Sequence, residues 1–125
     1  MEKTSSDILG PPTNIKVDQF SRATWPAARQ VYQAEALSWL ASHPAVPGTS
    51  IVTSLPDVSE VPPHRLPEWR QWFVSCVKQL IEWVPSDCSA IFFQSDVRHE
   101  GVWIDKGYLV MRAAEDAAAN LVWHK

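Results

Sequence analysis

The stretch between Pro67 and Val84 restricts the fold more than any other. Trp69, Trp72, Phe73, Cys76, Val77, Leu80, Ile81 and Val84 recur there at i, i+3, i+4, i+7, i+8, i+11, i+12 and i+15. That spacing places all of them on one stripe of an amphipathic helix, so something apolar must cover the stripe. Pro67 suits the first turn, where its missing N–H is no loss, and Glu68 suits the positive end of the helix dipole. Cys76 lies on the stripe and reads as a packing residue.

The flanking segments supply the cover. Ser50–Leu55 is β-branched and bounded by Gly48 and Pro56, which predicts a strand. Ser89–Gln94 carries the continuous apolar centre of a strand covered on both faces. Ser95–Gly101 reads as a polar loop, a helix follows from about Asp105 to Ala119, and Leu121–Trp123 reads as a final strand. In that helix Ala113, Ala114, Ala117 and Ala118 favour helicity and allow close packing. Strand, helix, strand, helix, strand is the order of parallel βαβ units. The expected fold is α/β, a Rossmann-like parallel sheet of three or four strands with flanking helices.

Upstream, Ala27–Gln33 reads as a short strand and Glu35–Ala41 as a short helix, or Pro26–Ala41 forms one continuous helix; periodicity does not choose between them. Residues 1–22, with Gly10, Pro11 and Pro12 among polar residues, read as an irregular arm preceding a single domain over 23–125. The prolines at 56, 62, 63 and 67 stiffen the loop after the first strong strand.

Composition narrows the function classes. The net charge of −3 shows no basic stripe, so nucleic-acid binding gains no support from overall charge. Two cysteines without a CxxC pair imply a reduced, cytoplasmic protein. No apolar run approaches the ~18 residues of a membrane span, and no secretory leader is legible. His43, His64, His99 and His124 are scattered, without metal-ligand spacing. No Gly-x-Ser-x-Gly elbow accompanies Ser54, which argues against a hydrolase triad.

The segment V-Y-Q-A-E-A-L-S-W-L-A through T-S-I-V-T-S-L-P-D resembles the catalytic half of circularly permuted S-adenosylmethionine-dependent amino-methyltransferases. In that family a strand leads to Gly-Asp-Ala, a helix follows, and a second strand ends in Thr-Ser-Pro-Pro-Tyr. The similarity of element order covers roughly residues 29 to 125. The resemblance implies that Ser54 takes the polar position beside the acceptor amino group. Leu55 replaces the first proline, Pro56 matches the second, and Asp57 stands where an aromatic would stack on the base. Loss of that aromatic removes a platform worth ~1–3 kcal/mol per base. Asp57 offers an acceptor for a cationic or amide-bearing substrate instead.

The resemblance also implies that Glu35 matches the acidic residue beside the cofactor's adenine; its plain alternative is a solvated Glu at a helix start. The glycine-rich turn that holds the methionine moiety is not found, and only four glycines occur. The cofactor half follows the catalytic one in permuted members of that family, so the expectation here is a catalytic half only, inactive alone: a fragment, a truncated reading frame, or a part completed by another chain. Asp96, Arg98 and His99, with Glu100, form a candidate substrate loop or a solvated polar loop, and Lys106 and Tyr108 at the next helix start invite the same two readings. The leading function is methyl transfer to a nucleophile, with a nucleic-acid base amino group as one acceptor. The alternative is a non-catalytic interaction domain that forms homo-oligomers or is completed by a partner through an open sheet edge.

Overall fold

The computed structural model describes residues 29–61 and 65–125. The chain divides into two units, Met1–Gln33 and Ala34–Lys125. Of the first, residues 29–33 carry neither strand nor helix, so neither the expected strand over 27–33 nor the continuous helix over 26–41 is found where the chain is described. The expected arm over 1–22 lies outside the described residues.

The second unit runs α1 (Ala36–Ser42), β1 (Ile51–Thr53), α2 (Leu66–Trp83), β2 (Ala90–Phe92), β3 (Val97–His99), β4 (Val102–Ile104) and α3 (Lys106–Asp116). It is mixed helix and strand, with a small parallel sheet and flanking helices. β1 and β2 pair in parallel with Ile51 opposite Ala90 and Thr53 opposite Phe92. Further bonds from Ile51 N–H to the Ser89 carbonyl and from Phe93 N–H to the Thr53 carbonyl extend the ladder at both ends. α2 joins these strands as the crossover a parallel pair requires.

The apolar stripe of α2 buries Trp69, Phe73, Cys76, Val77 and Leu80, as its spacing predicts. Val58, Ile104, Leu109 and Ala113 close the core from the other side. Trp69 and Phe73 stand with ring centroids 5.0 Å apart and tilted by 42°, and both are fully buried. Removal of the Trp69 side chain is expected to cost ~3–5 kcal/mol. α3 meets α2 through Leu109 and Ala113, the small side chain letting the helices approach.

Four expectations are corrected. Ser95–Gly101 is not all loop: Val97–His99 pairs antiparallel with Val102–Ile104. The turn between them, Glu100–Gly101, takes positive φ at both residues (48° and 80°), as a tight two-residue hairpin needs. Leu121–Trp123 forms no strand, and the parallel sheet of the described residues has two strands, not three or four. The tail instead brings the His124 ring against Gly107, where a Cβ would stand 3.3 Å from its Nε2. Lastly, β2 is covered on one face only. Ala90 and Phe92 turn inward while Ile91 and, beyond the strand, Phe93 are exposed. A continuous apolar run does not reveal that one of its faces lies open.

Candidate functional site

Asp57 begins a turn fastened to itself. Its N–H donates to Glu60 Oε2 at 2.7 Å, and the Glu60 N–H returns to the Asp57 carbonyl at 2.9 Å. Val58, the next residue, is buried in the core and pins the turn from below. The backbone is therefore fixed on both sides of the Asp57 side chain before that side chain makes any contact.

The side chain then meets Lys106. Lys106 opens α3 and is 3 % exposed, the one buried charged residue among those described. Its ammonium pairs with Asp57 Oδ1. Its own N–H donates to Asp96 Oδ1 at 3.0 Å, so this single residue joins the loop after β1 to the loop after β2. Asp105 caps α3 by accepting the Tyr108 N–H at 2.8 Å, and its charge is favourable at that helix end. The position is the carboxyl end of a parallel strand pair, where ligands of open α/β sheets gather.

Asp57 keeps 28 % of its side chain exposed, against 4 % for its partner. Its second carboxylate oxygen has no partner among the described residues. Gln94 follows β2 toward the same end, and its Nε2 is buried with no hydrogen-bond partner among them. The part-exposed Asp57 oxygen is thus an uncommitted acceptor beyond the end of β1, while the Gln94 nitrogen is sealed from solvent.

The remaining site expectations fare unequally. Ser54 is exposed and its carbonyl accepts from the Thr53 hydroxyl at 3.3 Å. Pro56 is exposed, but its carbonyl accepts from Trp69 Nε1 at 3.2 Å and is committed to the core. Asp96 is drawn to Asp57 through Lys106. Arg98 points outward from the hairpin opposite Trp103, and His99 sits opposite Val102.

Glu35 lies elsewhere, as the cap of α1. Its two oxygens accept the Leu37 and Ser38 N–H groups at 3.1 and 2.7 Å. Hydrogen bonds from Ser38, side chain first, and from Leu37 hold its carboxyl below the usual range. Those bonds assign the Glu35 carboxylate to its own helix, and among the described residues none joins it to Asp57.

Sequence reasoning left Lys106 open between a site member and a solvated residue. Lysine at a helix start normally reaches solvent, and only the tertiary packing of α3 buries this one. Among the described residues no cluster of three or more His, Cys, Asp or Glu side chains could hold a metal. No described helix is long and apolar enough to cross a membrane. Comparison with family models, curated proteins and solved structures finds no match to this chain.

Proposed function

We propose that this chain provides the acceptor side of a methyl-transfer site, with S-adenosylmethionine as the donor and an amino group, such as that of a nucleic-acid base, as the acceptor. The observation that carries the proposal is the position of Ser54-Leu55-Pro56-Asp57 at the carboxyl end of β1, with the Asp57 carboxylate paired with Lys106 and still part-open to solvent. A methyl group moves when the acceptor lone pair lies in line with the sulfonium carbon–sulfur bond. The electron pair of that bond leaves with sulfur, and the acceptor then loses a proton.

The chain's own contribution is placement. The open oxygen of Asp57 takes one N–H of the acceptor and turns its lone pair away from the loop, and the Ser54 hydroxyl offers a second contact. Orientation of this kind supplies up to about 7–11 kcal/mol of barrier reduction in well-aligned systems. Glu35, tied to α1, is not needed for this role.

Titration calorimetry with adenine and cytosine tests the acceptor side of the proposal. Saturable heat, lost in Asp57→Asn, is expected. Its absence at millimolar base would remove the claim that this chain holds the methyl acceptor.

A second reading, an interaction domain, is favoured by the open face of the parallel sheet. Val52, Ile91 and Phe93 are 66 %, 43 % and 74 % exposed, and Trp103, Val122 and Trp123 add further exposed apolar surface. Contiguous apolar surface and open strand edges both drive association. Sedimentation of the wild type beside Val52→Lys/Phe93→Lys decides it. Concentration-dependent association lost in the variant supports this reading, and a monomer at all concentrations refutes it.

A further inference from the structure

Among the described residues one charged side chain is buried, and its partner is one of the residues given a role above. Burying an ion pair contributes little to stability, because desolvation offsets most of the attraction; apolar residues of similar size would serve packing as well or better. Here the burial is lopsided: Lys106 is sealed in and Asp57 is left part-exposed.

We propose that Lys106 is a positioning residue that holds Asp57 in one rotamer, so that its second oxygen faces an incoming N–H. The inference rests on the acceptor role of Asp57 proposed above. Four constraints converge on that one carboxylate. Val58 anchors the following residue in the core. Glu60 fastens the Asp57 backbone at both N–H and carbonyl. Lys106 takes Oδ1, and Asp96 fixes the backbone of Lys106 in turn. A carboxylate with one oxygen held and its backbone fixed has a single direction left for its other lone pairs. Geometry fixed before the ligand arrives spares the cost of ordering it on binding.

The ligand class follows from the atoms. A carboxylate oxygen beside an ammonium only accepts, so it selects an N–H donor. The amino group of a heterocycle such as adenine or cytosine supplies one. Dimethylation of that amino group removes both of its N–H donors and leaves Asp57 nothing to accept there.

NMR of the full chain with labelled aspartate tests the inference. The Asp57 side-chain couplings of the wild type are expected to report one rotamer, and those of Lys106→Met an average over several, with Lys106→Arg restoring most of the single state. Adenine and cytosine are expected to shift the Asp57 carboxylate resonance in wild type and Lys106→Arg. Their dimethylamino analogues should not, and affinity in Lys106→Met should fall at least tenfold. Averaged couplings in the wild type would overturn the inference even if Lys106→Met failed to fold. So would amino bases binding a folded Lys106→Met as tightly as the wild type, with the acceptor role left standing. A single rotamer without binding of any base would leave the positioning geometry intact and overturn the acceptor role and ligand class.

Discussion

Removing Lys106 strands a carboxylate that still reaches water, whereas neutralising Asp57 strands an ammonium that does not, and the two substitutions should differ accordingly. Asp57→Asn is expected to cost about 3 kcal/mol, in the range for breaking a buried pair from one side. Lys106→Met should cost nearer ~1–2 kcal/mol, because solvent compensates the part-exposed Asp57. The double variant should fall well short of the sum, as coupled partners do. Urea unfolding of all four proteins measures this, and additivity would mean the pair is not coupled.

Glu35 is bound to pH in a defined direction. Its folded-state carboxyl lies below the ordinary range, through hydrogen bonds from Ser38 and Leu37, so its contribution is present above the unfolded carboxylate value. That contribution disappears as pH falls through the lower, folded value. Thermal melts should show Glu35→Gln less stable than wild type at pH 7, with the gap closing in acid. A gap that persists at pH 2 would contradict capping by the carboxylate.

The two thiols separate in the same manner. Burial first, and the charge of Glu35 second, push Cys76 up to about 11, while the part-exposed Cys88 is raised by burial and by Asp87. At pH 8 a thiol reagent should label Cys88 in the native protein and Cys76 only on unfolding. Equal rates would mean α2 opens readily.

At the scale of elements, legibility followed the number of residues that had to agree. α2 was readable because its whole length repeats one period, and the strands at 51–53 and 90–92 because β-branched or apolar runs stood between turn residues. The β3–β4 hairpin was missed because each strand spans only three residues and its turn opens on Glu100, not the Asn or Asp that normally marks this geometry. A non-glycine residue at φ 48° is held there against its preference. Glu100→Asn is therefore expected to stabilise the fold by about 0.5–1 kcal/mol in chemical denaturation. A loss of stability would mean Glu100 makes a contact that its backbone strain conceals.

At the scale of the molecule, the parallel crossover, the core of α2 and the place of Asp57 at a strand end could be read from sequence. The depth of Lys106 could not, because burial of a helix-start lysine depends on how α3 lies across α2. Nor could the open sheet face be read, since Ala90 to Phe93 looks alike whether one layer or two cover it. The capping of α1 by Glu35 was half legible: the residue type fitted both a cap and a ligand contact, and its hydrogen bonds favour the cap.

The proposed role of Asp57 is to hold the amino group of a methyl acceptor, and titrating adenine- and cytosine-rich oligonucleotides into the chain, beside strands whose amino groups are dimethylated, tests that contact directly. Saturable binding of the amino-bearing strands alone is expected, weakened at least tenfold in Asp57→Asn. Equal binding of both sets, or binding unchanged in Asp57→Asn, would overturn that role.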